Sequence, residues 1–245
     1  MRNLPRIDQR YWLSLSAASV FGTNTGDFVA GYLHIGHLAG LPWLAALFAA
    51  ILLAEKYVAR ASALYFWAAI ITVRTAATNV GDAFHDFGFG FAVSIPIVLV
   101  LFVASVWLYA LRAPRPDPAA ATVRVNAAYW GCMMLAGVLG TIGGDYASFG
   151  LHLTPAGAAI AFALLIYLSI RALGPRGMLL APAGYWFTVA LIRIGGTAGG
   201  DAFAHALRLL PSTLLTGFVF IGLVIWFYRR PAVNQVAQYD GAPLR

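Results

Sequence analysis

Apolar residues in this chain fall in eight blocks, most of them close to the ~20 residues that a helix needs to cross a hydrocarbon core of about 30 Å. The blocks occupy 11–33, 40–57, 62–84, 89–111, 126–148, 154–173, 182–206 and 211–229. They predict eight membrane-spanning helices and leave no stretch long enough for a soluble domain. Odd and even blocks differ in kind. The even ones are almost wholly Ala, Leu, Ile, Val and Phe, three of them start at Pro42, Pro155 and Pro211, and Pro96 inside the fourth predicts a kink. The odd ones are rich in Gly, Ala and Thr, and each carries an aspartate in its last third. Intramembrane charges face a bundle interior or a wet cavity, so the odd helices are expected inside and the even ones outside, against lipid.

The odd blocks repeat one another. A tryptophan is followed fifteen positions later by the aspartate of a small-Thr-x-x-Gly-Asp signature: Trp12 to Asp27, Trp67 to Asp82, Trp130 to Asp145 and Trp186 to Asp201. The first and third copies are offset by 118 residues (12 to 130) and the second and fourth by 119 (67 to 186), so the two halves of the chain are repeats as well. The division expected is a first half over 1–115, a second half over 116–230, joined at a Pro/Ala-rich linker, and a disordered cytoplasmic tail over 231–245. Each copy contains two spans, so all four enter the membrane in the same direction, as parallel repeats about an axis along the membrane normal.

Composition agrees with the blocks and fixes the class. The chain is 61% hydrophobic and 10% charged with a mean hydropathy of +0.78, an integral membrane protein's profile. Its sixteen Lys and Arg residues lie at the termini and in the loops after even helices, apart from Arg208 and the intramembrane Arg74 and Arg193. The positive-inside rule then places both termini in the cytoplasm. The net charge of +7 is therefore a topology signal and points to no nucleic acid. The first block is too long for a signal peptide, lacks a convincing cleavage site and holds the first repeat, so it is expected to remain as a span. Cys132, the single cysteine, excludes a disulfide framework and reads as core.

The pairs Tyr11-Trp12, Phe66-Trp67, Tyr129-Trp130 and Tyr185-Trp186, each with its Gly-Asp downstream, are the residues on which residues 11–229 resemble a family of bacterial multi-pass membrane proteins. That family is built from four tandem copies of a two-span repeat with a characteristic tryptophan. The resemblance implies an eight-span all-α architecture in a bacterial cytoplasmic membrane and brings no catalytic or binding residues with it. The second copy departs slightly, with Phe66 where the others have tyrosine.

On each odd helix, residues four apart share a face, which puts Thr23 beside Asp27, Thr78 beside Asp82, Thr141 beside Asp145 and Thr197 beside Asp201. One step round, Gly22/Gly26, Ala77/Gly81, Gly140/Gly144 and Gly196/Gly200 form small-xxx-small pairs that let helices touch backbone to backbone. Eight positions before the aspartate the copies read Ser19, Arg74, Gly137 and Arg193. Four carboxylates against two guanidiniums leave a deficit of two positive charges, to be met by protons or by a divalent cation. If Trp12 marks the cytoplasmic interface, Asp27 lies about 22 Å outward at 1.5 Å per residue. The histidines His34, His37, His85, His152 and His205 lie further out on the same side. His85 and Asp86 beside Asp82, and His205 beside Asp201, have helical metal-ligand spacing, and His34 and His152 are equivalent positions. Against this stands the commoner role of a helix-end histidine, interfacial hydrogen bonding.

Catalysis finds no support: nucleophile elbow, phosphate loop, paired cysteines and His-Glu-x-x-His are all missing from the sequence. Two functions remain open. In the first, Asp27, Asp82, Asp145 and Asp201 bind a small cation, a proton or a divalent metal, in a transport path, with the threonines as supporting ligands and Arg74 and Arg193 balancing charge. In the second, the Asp/Arg/Thr layer is a packing device in a non-transporting scaffold or sensor.

Overall fold

The computed structural model describes residues 4–57, 62–112 and 121–228. The linker residues 113–120 and the tail 229–245 lie outside the described residues, and the expectations of a linker and a disordered tail fall largely there. The described residues form eight α-helices and no strand: α1 (Gln9–Asp27), α2 (Leu41–Tyr57), α3 (Ala63–Asp86), α4 (Phe91–Arg112), α5 (Ala127–Asp145), α6 (Thr154–Leu173), α7 (Pro182–Leu207) and α8 (Leu209–Tyr228). Polar residues at the block boundaries start three of them, α1, α3 and α5. Asp8 accepts from the Tyr11 amide at 3.0 Å, Ser62 from Leu64 at 3.2 Å and Asn126 from Tyr129 at 2.9 Å, satisfying donors that a helix start leaves free. Pro182 does the same for α7 by having no amide hydrogen to satisfy.

The odd helices form the interior. α1 packs against α3 and α7, and α5 packs against the same two, which closes a ring of four helices. Glycines make the close approach possible. A Cβ built on Gly26 would lie 2.7 Å from Thr78 Cβ, one on Gly81 2.7 Å from Thr141 Cβ, one on Gly144 2.6 Å from Thr197 Cβ and one on Gly200 3.1 Å from Thr23 Cβ. The glycine of each copy thus receives the threonine of the next, round the whole ring.

The even helices lie outside it, α2 on α3, α4 on α5, α6 on α7 and α8 on α1 and α7. Of these, α2, α4 and α6 dock mainly on the odd helix of the following copy. The outer surface is strongly apolar, with Trp226, Trp43, Phe218 and Ile160 each more than 70% exposed. Such a surface is stable against lipid and not against water. Four segments are long and apolar enough to cross a membrane, Phe91–Arg112, Ala127–Gly150, Thr154–Arg176 and Leu209–Tyr228, so the chain is a membrane-embedded helical protein.

The four signature tryptophans do not form an interfacial belt. Trp12, Trp67 and Trp186 are buried and Trp130 half-buried. Each lies against the aromatic residue that opens the preceding copy: Trp67 on Tyr11 at 5.6 Å, Trp130 on Phe66 at 6.1 Å, Trp186 on Tyr129 at 5.3 Å and Trp12 on Tyr185 at 5.8 Å between ring centroids. Interleaving of this kind anchors one end of the ring, because every tryptophan spans the seam between two helices.

Candidate functional site

Residues at four-residue intervals on the odd helices stack in layers. At the Trp end, the hydroxyls of Tyr11, Tyr129 and Tyr185 meet one another, Tyr129 to Tyr185 at 2.9 Å, Tyr11 to Tyr129 at 3.4 Å and Tyr11 in direct contact with Tyr185. Phe66 takes the fourth place with no hydroxyl, and three phenols close a hydrogen-bonded triangle. The next layer, Leu15, Ile70, Met133 and Val189, is apolar and completely buried. Above it come Ser19, Arg74, Gly137 and Arg193, then the four threonines, then the four aspartates.

Arg74 is the centre of the threonine layer. Its Nε donates to the Ser19 carbonyl at 3.4 Å, Nη1 to the Gly137 carbonyl at 3.0 Å and to Thr141 Oγ1 at 3.1 Å, and Nη2 to Thr23 and Thr197 Oγ1 at 2.6 Å each. All five donors of the guanidinium are occupied, by neutral oxygens from α1, α5 and α7. The threonines are prepared for this because Thr23 and Thr197 donate their own protons to the carbonyls of Ser19 at 3.0 Å and Arg193 at 3.3 Å, which leaves lone pairs facing the axis. Thr78, on the arginine's own helix, donates back to the Arg74 carbonyl at 3.2 Å. Thr197→Val is expected to lower stability by about 1–3 kcal/mol, since it strands a buried charged donor. Thermal unfolding of the purified variant in detergent measures it.

Arg193 occupies the equivalent position on α7 and turns the other way. Its Nη2 donates to Met133 Sδ at 2.9 Å, toward the tyrosines, and Nε and Nη1 have no partner. Neither arginine forms an ion pair with an aspartate among the described residues.

Asp27, Asp82, Asp145 and Asp201 are partly exposed where the ring opens. Asp82 is within electrostatic reach of the other three, with Arg74 beneath them as the common positive charge. Asp82 Oδ2 and Asp201 Oδ2 are buried without a hydrogen bond; the first faces a histidine, and the second has no protein partner. Immediately beyond Asp27 and Asp145 the chain continues as π-helical turns, Phe28–Tyr32 and Tyr146–Gly150, whereas α3 and α7 run on as α-helix. The copies without arginine are thus the copies with a π turn, a form often found at functional sites.

Beyond the carboxylates the structure brings in one histidine that helical spacing does not select. His37, in the loop between α1 and α2, lies with Nδ1 3.5 Å from Asp82 Oδ2 and Nε2 3.8 Å from Asp86 Oδ2. Its two ring nitrogens thus each face a carboxylate, at contact distances longer than a hydrogen bond. His37→Ala is expected to speed amide exchange in the 33–40 loop, read by hydrogen-exchange mass spectrometry. His85 and His205 are exposed, the latter with Nδ1 2.9 Å from the Asp201 carbonyl oxygen. His34 and His152 are also exposed, in matching left-handed turns at φ 53° and 57°. Among the described residues no three His, Cys, Asp or Glu side chains are grouped to hold a metal ion.

The tyrosine triangle and His37 are the parts of the site that the sequence pattern did not assign. The recurring Tyr-Trp pair was a signal for the first. For His37 there was none, because a loop fold brings it to α3. No family model, no curated protein and no solved structure matches this chain.

Proposed function

We propose that this protein is an eight-span membrane transporter of a small cation, a proton or a divalent metal ion, in a bacterial cytoplasmic membrane. Its four tandem two-helix repeats surround a pseudo-fourfold axis, which the alternating arginines and π turns reduce to twofold. The observation that carries the reading is the layer of four partly exposed aspartates at one end of the ring, with Asp201 Oδ2 buried and left without a protein partner. A carboxylate is costly at membrane depth and is retained where it serves an ion. On this reading Arg74, held by Thr23, Thr141 and Thr197, is the barrier below the carboxylates. Transport then requires the Arg74–threonine contacts to rearrange, as alternating access does.

A second reading, a non-transporting scaffold or sensor, draws on the complete saturation of Arg74 by neutral oxygens and on the dry layer of Leu15, Ile70, Met133 and Val189 below it. Flux into proteoliposomes separates the two, with protons and divalent metals screened on wild type beside an Asp82→Asn, Asp201→Asn variant verified as folded. Wild-type flux that the variant loses supports transport through the carboxylate layer. Wild-type protein that passes none of these ions, with a variant altered only in stability, supports the scaffold.

A further inference from the structure

The two intramembrane arginines occupy matching positions and have opposite surroundings. Arg74 has every donor filled and the aspartates above it. Arg193 is completely buried, its Nε and Nη1 carry three N–H bonds with no acceptor, and its Nη2 meets only a thioether sulfur. A guanidinium stays protonated in proteins, so this is a full positive charge in the bundle interior. The groups that act on it electrostatically include Tyr11, Tyr129 and Tyr185, neutral phenols at ordinary pH, and Arg74, a second positive charge. Ser19, at the matching position on α1, also has a completely buried Oγ without a partner. Arg74 and the threonines it binds lie between Arg193 and the carboxylates. An isolated buried charge without a counter-charge is strongly unfavourable, and water satisfies its donors without supplying the missing negative charge.

We propose that Arg193 is a binding site for one small monovalent inorganic anion, of halide size, held at the unpartnered Nε and Nη1 edge of its guanidinium. Nε and Nη1 of Arg193 donate to the anion, and the unpartnered Ser19 Oγ is a further hydroxyl donor to it. The site is distinct from the carboxylate layer and takes a ligand of opposite charge, so it stands or falls independently of cation transport.

Bromide is the probe. Full-length wild-type protein in detergent is exchanged into gluconate, an anion much larger than a halide, and titrated with sodium bromide. Intrinsic fluorescence is recorded, because Trp12 and Trp186 lie against the tyrosines. Expected is a saturable quench and a raised unfolding temperature in wild type, weakened more than about tenfold, ~1.4 kcal/mol, in Arg193→Met and retained in Asp201→Asn. Where Arg193→Met does not fold, anomalous scattering from wild-type crystals grown in bromide decides the matter. A peak beside the Arg193 guanidinium supports the site, and water density there overturns it. A wild-type response indifferent to bromide, an equal response from folded Arg193→Met, or tyrosinate absorption showing that a phenolate supplies the negative charge each overturns it as well.

Discussion

Arg74→Met is expected to tighten cation binding at the carboxylate layer by about 30-fold while leaving stability nearly unchanged. The first half follows from Coulomb's law: one positive charge ~8 Å below a bound cation opposes it by about 2 kcal/mol at an effective dielectric of ~20. The second half follows from what Arg74 touches. Its five acceptors are neutral, and Thr23 and Thr197 keep their own bonds to backbone carbonyls when the guanidinium is gone. A buried charge replaced by an apolar side chain of similar length is often neutral or stabilising, so the change in unfolding free energy is expected within about 1 kcal/mol. Calorimetric titration with divalent metals, beside thermal unfolding of the same preparations, checks both halves. Arg193→Met, whose guanidinium points to the tyrosines, is expected to leave cation affinity within about threefold of wild type, well under the ~1.4 kcal/mol that a tenfold change represents.

The largest loss of stability is expected at the glycine seam. An alanine at Gly81 brings its Cβ 2.7 Å from Thr141 Cβ, and one at Gly144 comes 2.6 Å from Thr197 Cβ and 3.0 Å from the Ile194 carbonyl oxygen. Those neighbours are a β-branched side chain and backbone, neither of which can swing aside. Overpacking of this kind costs about 1–3 kcal/mol per site, and Gly81→Ala, Gly144→Ala is expected to lose about twice that, because the two contacts lie in different seams. Gly131 and Gly222 are the internal control: they lie within α5 and α8, and nothing stands within 4 Å of an added Cβ. Alanine there is expected to be neutral or to stabilise by up to about 1 kcal/mol through helix propensity. Unfolding midpoints in one detergent rank the four positions, and equal effects at Gly144 and Gly222 would contradict the seam.

The positions of the helices were legible in the sequence because apolar blocks are bounded by capping residues such as Asp8, Ser62 and Asn126. The inner and outer assignment was legible from where Thr, Gly and Asp fall. The docking of each even helix was not, since a helix apolar on all sides does not declare which neighbour it covers. The tryptophans looked like an interfacial belt because that is the usual place for tryptophan at a span's end. Only the fold shows each one interleaved with Tyr11, Phe66, Tyr129 or Tyr185 of the preceding copy.

The arginines show how far a one-dimensional pattern reaches. Arg74 and Arg193 precede their aspartates by the same eight residues, and nothing in either local sequence sets a direction. The direction is settled by competition for acceptors: Arg74 takes Thr23, Thr141 and Thr197, leaving Arg193 to turn toward Met133. His37 was illegible for a different reason, because its approach to Asp82 and Asp86 depends on the path of a loop and on no helical period.

Equilibrium cation binding tests the carboxylate layer most directly. Purified wild-type protein and Asp82→Asn, Asp201→Asn are titrated with Mn²⁺, Mg²⁺ and Ca²⁺, and proton uptake is followed after a pH jump. Expected is a saturable wild-type response to a metal or to protons that the variant loses while remaining folded. Wild-type protein that binds none of these cations, or a variant that binds as well as wild type, would contradict it.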